Sequence, residues 1–506
     1  MTDPASAADR LTDCRPASDR PASDRPAAGP TTAAGRRRTT QVFLASTLYG
    51  TATLAAALDA GCFPPAARRI LLTSNNAPIP EVAPGIAQMP GFDSLRTRFD
   101  EVRDWNEVIA PFHPSAWAPR SEDAPLWERQ LRALWGLGED RIELVVESLQ
   151  VSPAQALCQL FPGAGIEVYA DGLMSYGPTR FKLDPQIGVR VRRVLHLDLV
   201  PGLEPLLLTE FGVPAELVPQ EAFCKVLAEL ADADTGTAAV AAAGPGPAAG
   251  APPRDEAAAH GPALLLGQYL SALDLLSARE EEELHAEMVR GVHALGHRDV
   301  VFKPHPSAPA RAAGLAAAEA ARLGVRFTVA ATPVLAEVLY QRLRPALVVG
   351  CFSTGLLTAA TLYGLPVART GTGPVLARLA PYQNSNRVPL ALVDALLPDL
   401  ADADAVRGWL PPGPGRVREE LTGLVTAVGF TMQPQVLAAR RADAERYLAT
   451  RLDARTWRYF TRRRLTSLAL PGGIPAQLSF LPGSPALRRA VRQVRRLRRA
   501  ALGRTR

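Results

Sequence analysis

The stretch VVFKPHPS, residues 300–307, places a lysine and a histidine beside two prolines, directly after an apolar run. The run DVVFK has the composition of a buried parallel strand, and Pro304 and Pro306 end it because proline lacks a backbone donor and fixes φ. In open α/β sheets, ligands bind at the carboxyl ends of the strands. Lys303 and His305 therefore stand where they could meet an anion. The alternative interpretation is a proline-rich turn with a solvated histidine.

Two other predicted strand ends carry polar groups. In VYADGLMSYGP a strand runs into Asp171 and Gly172, and in LVVGCFSTGLLTAATLYG a strand leads through Ser353 and Thr354 into an apolar helix. Asp171 is suited to act as a general base, or it belongs to an ordinary Asp-Gly turn. Ser353 and Thr354 are helix caps, and hydroxyls with free N–H groups at a helix N-terminus also suit a phosphate.

Two blocks of alternating strand-like and helix-like segments position these groups. Several apolar runs are continuous, as in strands covered on both faces, so we predict parallel sheets with helices on both sides. In the first block the predicted strands are TQVFLAS, RILLTS, RIELVVES, IEVYA and VLHLDLV; in the second they are PALLLGQ, VVFK, VRFTV, PALVVG and LPVA. Ser277 and Glu280 form a capping box, and we interpret the four-glutamate run there as a solvated first helical turn.

Composition divides the chain of 506 residues, which is too long for one core. The repeat RPASDRPASDRPA predicts disorder over residues 1–38, and the Ala/Gly/Pro-rich stretch over 231–262 predicts a flexible linker. The expected parts between and after them are an N-terminal Rossmann-like, acceptor-side domain (39–230), a nucleotide-binding one (263–430) and a helical C-terminal extension with a basic tail (431–506).

The formal charge of +6 comes from that tail. Residues 487–506 hold nine arginines and no acid, and removing nine charges from +6 leaves −3 for the rest of the chain. This distribution argues against a nucleic-acid-binding domain. No signal peptide or membrane span is readable, which favours a cytoplasmic protein. The five cysteines are scattered without a CxxC pair, so we expect reduced thiols rather than disulfides or a structural zinc site.

The order of the motifs, DG, then KPHP, then CFST, resembles the bacterial sialyltransferases, and most closely the alpha-2,8-polysialyltransferase family. That family has an acidic-acidic-Gly motif, a His-Pro motif and a Ser/Thr pair. The resemblance extends loosely over residues 40–430, including FLASTLYGTATLAAAL and LLLGQYL. It implies the α/β GT-B fold, two Rossmann-like doubly wound domains that face a central cleft.

The resemblance also implies roles for individual residues. Asp171 matches the general base that deprotonates the acceptor hydroxyl, and His305 matches the histidine that stabilises or protonates the departing phosphate of CMP. Ser353 and Thr354 match the hydroxyls that bind this phosphate.

Five further positions form the expected binding surface around these groups. Lys303 and Pro306 flank the histidine, and Gly172 follows the base. Gly267 and Gln268 lie by position near the nucleotide, at the end of the first strand of the second block.

One position departs from the family pattern. Ala170 stands where the family has the first of its two acids. Glu167 is the nearby acid, but side chains alternate along a strand, so it would lie on the opposite face from Ala170. We therefore assign the base to Asp171.

The implied reaction moves sialic acid, or a related nonulosonic acid, from a CMP-activated donor to a glycan acceptor with inversion. It requires no cofactor and no metal ion. The pairs Asp232/Asp234 and Asp402/Asp404 are interpreted as surface charge. His293 and His297 have metal-site spacing but lack the glutamate of a zinc protease, and His113, in a second His-Pro pair, is interpreted as structural.

The C-terminal tail predicts a membrane partner. Leu487, Val491, Val494, Leu497 and Ala501 share one helical face amid arginines, as in helices on anionic membrane surfaces. For a transferase of cell-surface or capsule polysaccharide, we expect peripheral attachment to the inner face of the membrane, close to a lipid-linked acceptor. Two alternatives are a CDP-glycerol-type polymer transferase, whose class also uses GT-B folds and His-Pro motifs, and a non-catalytic GT-B binding module.

Overall fold

The computed structural model describes residues 38–170, 172–233 and 261–474. Asp171, the N-terminal repeat, most of the predicted linker and the arginine-rich tail lie outside the described residues. Within the described ranges, the chain folds into two parallel sheets with helices packed on their faces. The prediction of two parallel-stranded α/β halves is confirmed.

The first sheet has the strand order β3-β2-β1-β4-β5-β6-β7, and every neighbouring pair is parallel. Its strands are β1 Thr39–Ala45, β2 Arg68–Thr73, β3 Glu101–Asp104, β4 Arg141–Val146, β5 Gly165–Ala170, β6 Val191–His196 and β7 Ala215–Leu217. The helices of this half are α1 Leu48–Asp59, α2 Phe92–Arg96, α3 Trp105–Ile109, α4 Ala124–Leu134, α5 Ala154–Leu160, α6 Pro185–Gly188 and α7 Gln220–Ala233.

The second sheet has the order β10-β9-β8-β11-β12 and is also parallel throughout. Its strands are β8 Gly261–Leu266, β9 Asp299–Lys303, β10 Arg326–Val329, β11 Pro345–Gly350 and β12 Val367–Arg369. Its helices are α8 Ala278–Ala294, α9 Gly314–Leu323, α10 Ala336–Leu343, α11 Thr354–Tyr363 and α12 Thr372–Arg378. The rest of the described chain adds α13 Arg387–Leu396, α14 Ala403–Gly408, α15 Pro414–Arg416, α16 Thr422–Met432, α17 Arg441–Arg451 and α18 Arg462–Ser467.

The strand orders locate the point in each sheet where the chain changes direction. In the first sheet the chain moves outward from β1 through β2 to β3 and then returns to β4 on the other side of β1. In the second it moves from β8 through β9 to β10 and returns to β11. Ligands of open α/β sheets bind outside the strand ends at such switch points. The expected sites are therefore the carboxyl ends of β1 and β4, and of β8 and β11.

The two halves pack together through a shared core. Helix α7 packs against α10, and the Thr361 hydroxyl donates to the Leu199 carbonyl at 3.0 Å. The larger apolar cluster runs through both halves, whereas the smaller one fills the other face of the first sheet. No helix of the described part of the chain is long and apolar enough to cross a membrane.

The sequence analysis did not predict two of the observed strands. β3, EVRD, and β7, AEL, are short edge strands whose side chains are half-buried or exposed, so neither has an apolar run.

The capping box at Ser277 is present, but the prediction of a solvated glutamate run was wrong for Glu281. Its buried carboxylate accepts from the Ser271 N–H at 2.9 Å and hydroxyl at 2.7 Å, and so it holds the loop after β8.

Candidate active site

His305 lies in the loop after β9 and keeps one ring nitrogen open. The backbone N–H of Ser307 donates to its Nδ1 at 3.2 Å. A neutral imidazole that accepts at Nδ1 carries its proton on Nε2. Within the described ranges, no residue bonds to Nε2, and the side chain is exposed. His305 can therefore donate a hydrogen bond to a ligand without being charged.

The same local turn occurs at His113 with a different outcome. There the Ser115 N–H also donates to Nδ1 at 3.2 Å, but Nε2 bonds to the Ala77 carbonyl oxygen at 2.9 Å. Both ring nitrogens of His113 are used inside the protein. This agrees with its interpretation as a structural residue and makes it a matched control for His305.

The charge next to His305 comes from Lys303, at the end of β9. Burial lowers the pKa of Lys303, against the attraction of the Glu337 carboxylate. Glu337 is buried, burial raises its pKa, and its Oε1 accepts from the Thr358 hydroxyl at 2.6 Å. The pKa of His305 is lowered, first by the protein atoms crowding the ring and then by repulsion from Lys303, with Glu281 opposing. Close to neutral pH the imidazole is therefore mainly uncharged.

The N-terminus of α11 lies at the switch point between β8 and β11. Ser353 is the N-cap of α11, and its hydroxyl oxygen accepts from the Gly355 N–H at 3.2 Å. The carbonyl oxygen of the Gln268 amide accepts from the Phe352 N–H at 2.6 Å. This bond ties the end of β8 to the loop that leads into the helix. The helix dipole favours a negative group at this point.

Gly267 explains how the neighbouring loops approach so closely. Its N–H donates to the Lys303 carbonyl at 2.9 Å, and a Cβ at this position would lie 3.0 Å from the Phe302 ring and 3.4 Å from Pro304. A larger residue would therefore push β8 away from the KPHP loop.

The motifs of the two halves meet at Gly172 and Thr354. A Cβ on Gly172 would lie 3.0 Å from the Thr354 Oγ1 and 3.7 Å from its methyl group. The carboxyl end of β5 thus abuts the N-terminus of α11. Asp171 itself lies outside the described residues; in the chain it directly precedes Gly172. The structure brings together segments that the sequence separates widely.

Other acids of the sequence analysis take part in structural contacts. Glu167 is buried and forms an ion pair with Arg193 at 2.6 Å, so it does not replace the acid missing at Ala170. Asp402 caps α14 by accepting from the Ala405 N–H at 3.0 Å. In the part of the chain that the structure describes, no group of three or more His, Cys, Asp or Glu side chains could hold a metal ion.

Sequence reasoning missed Glu147 and Ser46 at the switch point of the first sheet. Glu147 follows β4 directly, and its Oε2 accepts from the Ser46 N–H at 3.2 Å and lies 3.5 Å from the Tyr169 hydroxyl. The signal was present in the sequence, since an acid directly follows the apolar run IELVV, as Asp171 follows IEVYA.

Comparison with known proteins gives one family. The model of the alpha-2,8-polysialyltransferase family matches residues 41–372, about two thirds of the chain. This range includes every residue that the sequence analysis placed in the site. No curated protein matches the chain.

Solved structures resemble the chain only distantly. A sialyltransferase GT-B domain from Photobacterium damselae is 11% identical, covering 71% of this chain and 96% of that one, with a TM-score of 0.38. The UDP-GlcNAc 2-epimerase from Methanocaldococcus jannaschii is 9% identical (76% and 99% covered, TM-score 0.41). A Thermobaculum terrenum O-GlcNAc transferase mutant is 15% identical (81% and 68% covered, TM-score 0.33). Identities and TM-scores this low carry no information about the activity of this chain. The agreement with the expected GT-B fold comes from the chain's own two parallel α/β sheets.

Proposed function

The chain belongs to the alpha-2,8-polysialyltransferase family, and we propose that it transfers sialic acid, or a related nonulosonic acid, from a CMP-activated donor to a glycan acceptor with inversion. The observation that carries this proposal is the contact between Gly172 and Thr354. It joins the segment that holds the base to the helix N-terminus that suits a phosphate, as a reaction between an acceptor and a nucleotide sugar needs.

In the proposed reaction Asp171 takes the proton of the acceptor hydroxyl. As this proton leaves, the hydroxyl oxygen forms a bond to the anomeric carbon of the donor sugar. The bond from that carbon to the phosphate oxygen breaks, and its electron pair stays on the phosphate of CMP. Attack from the side opposite the phosphate inverts the anomeric centre.

The second half stabilises the departing phosphate. The Nε2–H of His305 donates to a phosphate oxygen, and the hydroxyls of Ser353 and Thr354 add two donors at the start of α11. Lys303 supplies positive charge close to His305. Donors arranged in advance stabilise the developing charge without reorganising, so the proposed reaction needs no divalent metal.

Three other residues shape the nucleotide side of the site. Pro306 fixes the turn that presents the imidazole, because its ring restricts φ. Gly267 and Gln268 hold the loops on either side of β8 together, at the edge where the nucleotide would lie.

The test is release of CMP from CMP-sialic acid in the presence of sialylated oligosaccharides. We expect turnover by the wild type, and losses of about 10²- to 10⁴-fold in kcat for Asp171→Asn and His305→Ala, the usual contribution of a general acid or base. His113→Ala is the matched control, since it removes the histidine of the other His-Pro-Ser turn. It should keep kcat, with a lowered melting temperature.

Three outcomes would contradict the proposal. CMP binding without release would indicate a non-catalytic binding module. Turnover of CDP-glycerol in place of CMP-sialic acid would indicate a polymer transferase. Equal losses for His113→Ala and His305→Ala would remove the distinction between the two turns on which the role of His305 depends.

We further propose that the protein attaches to the inner face of the membrane through residues 487–506. The support is the sequence pattern of nine arginines around one apolar face. Attachment there would keep the enzyme close to a lipid-linked glycan acceptor.

A further inference from the structure

Tyr269 is held in a backbone conformation that tyrosine rarely adopts. It follows Gln268 in the loop after β8, and its φ of +53° lies in the left-handed region. Bulky residues seldom occupy this region, because their Cβ crowds a neighbouring carbonyl oxygen there. Such strain persists only where the surrounding structure imposes it, and it is concentrated at functional sites. A strained tyrosine at a strand end thus indicates a functional role for this loop.

Hydrogen bonds on both sides of Tyr269 impose its conformation. Before it, the side-chain carbonyl of Gln268 accepts from the Phe352 N–H at 2.6 Å. After it, the buried Glu281 carboxylate of α8 accepts from the Ser271 N–H at 2.9 Å and from the Ser271 hydroxyl at 2.7 Å. Tyr269 is therefore fixed between one attachment to the loop before α11 and another to α8.

The Tyr269 ring lies beside the imidazole of His305. The two ring centroids are 6.4 Å apart and the ring planes meet at 38°, within the distance range of aromatic pairs. The strands that lead to the two rings, β8 and β9, are parallel neighbours with Leu266 paired to Lys303. Within the described ranges, the Tyr269 hydroxyl forms no hydrogen bond with the protein. The ring, rather than the hydroxyl, is thus the part of this side chain that contacts the site.

Comparison with His113 shows what such a neighbour does for His305. Both ring nitrogens of His113 are bonded, Nε2 to the Ala77 carbonyl, so its orientation is fixed by hydrogen bonds alone. His305 has one such bond, from the Ser307 N–H to Nδ1 at 3.2 Å. A single bond leaves the imidazole free to swing about it. The packed ring of Tyr269 restricts this motion and leaves Nε2 open for a ligand.

We propose that Tyr269 is a positioning residue for His305, whose imidazole it restrains so that the open Nε2–H points at the departing phosphate. The inference rests on the proposed sialyltransferase function. β8 lies between β9 and β11 in the sheet, so a phosphate held jointly by His305 and the N-terminus of α11 lies beside the loop after β8. A donor that is oriented in advance stabilises the developing charge without reorganising. The strained backbone at Tyr269 serves this orientation at the expense of stability.

The experiment compares Tyr269→Gly with Tyr269→Phe in CMP release from CMP-sialic acid and in thermal unfolding. Glycine removes the ring and also the strain, because it adopts positive φ without a steric penalty. We expect kcat to fall about tenfold, the KM for CMP-sialic acid to change less than about threefold, and the melting temperature to stay level or rise. Tyr269→Phe keeps the ring and should restore kcat to within about threefold of the wild type.

Arg344→Gly is the matched control for the relief of strain. Arg344 is also a non-glycine residue at positive φ, +43°, but it is exposed and precedes β11, at the opposite edge of the second sheet. Its replacement should keep the wild-type kcat without lowering the melting temperature. A double variant tests the route through His305. In the His305→Ala background, Tyr269→Gly should lower kcat by less than about twofold, because the imidazole that the ring positions is gone.

The outcomes separate this inference from the proposed function. Full kcat in Tyr269→Gly, or an equal loss with and without His305, would overturn the role of Tyr269 and leave the sialyltransferase proposal intact. A loss of kcat that accompanies a lowered melting temperature would overturn it as well, by assigning the ring to folding. No CMP release by the wild type would overturn the function, and this inference with it.

Discussion

At the scale of single residues, the open nitrogen of His305 would give a pH dependence to the proposed binding of CMP. The crowded ring and Lys303 keep the pKa of His305 below its ordinary value, so the free protein holds the imidazole neutral. A bound phosphate attracts the protonated form and raises this pKa. Binding and protonation then favour each other, and the affinity for CMP should rise as the pH falls from 8.5 to 6.5. We expect a gain of about three- to tenfold over this range.

Calorimetric titration with CMP at several pH values checks this expectation. His305→Gln keeps a donor but cannot be protonated, so its affinity should stay flat, and His113→Ala should follow the wild type. If the CMP affinity of His305→Gln still depended on pH, the titrating group would be a residue other than His305. The sequence analysis interpreted His113 as structural and placed His305 in the site, but both lie in the same HPS turn, so their different contacts could not be read from the motif. The Ala77 carbonyl, which occupies Nε2 of His113, comes from a distant segment.

At the scale of elements, the junction of β5 and α11 makes Gly172 sensitive to any side chain. The backbone of Gly172 is extended, with φ −157°, so alanine suffers no conformational strain there. The obstacle is steric, since the new Cβ would lie 3.0 Å from the Thr354 Oγ1. We expect Gly172→Ala to displace the base segment or the helix N-terminus by a few tenths of an ångström and to lower kcat about tenfold, because misplacement weakens catalysis.

Steady-state kinetics with Gly163→Ala as control tests this contact. Gly163 lies before β5, and a Cβ added there would meet no atom within 4 Å, so its substitution should be silent. Full activity of Gly172→Ala would mean that the contact does not serve the reaction.

The sequence predicted the strands correctly wherever they were continuously apolar, as in VFLA of β1. It failed for β3 and β7, whose pairing to buried neighbours is a tertiary effect that their own residues do not encode.

At the scale of the whole molecule, the sequence indicated two α/β halves and the order of their motifs but not how the halves meet. The Gly172–Thr354 contact, the shared core and the place of Glu147 beside β5 depend on strand order, which residue patterns alone do not determine. The switch points of the two sheets are also set by this strand order. For this reason Glu147 and Ser46 emerged only from the topology, although each sits at a strand end visible in the sequence.

The arginines concentrated in residues 487–506 should decide how strongly the protein attaches to an anionic membrane. Near an anionic membrane each arginine contributes about 1 kcal/mol to binding. Replacing Arg488, Arg492, Arg495 and Arg499 by glutamine should therefore weaken cosedimentation with phosphatidylserine vesicles at least 100-fold, while CMP release in solution is unchanged. The matched control replaces four exposed arginines of the described body: Arg129, Arg279, Arg418 and Arg463. If the position of the charge matters, as proposed, this control keeps vesicle binding; equal losses in both variants would mean that net charge alone drives the attachment.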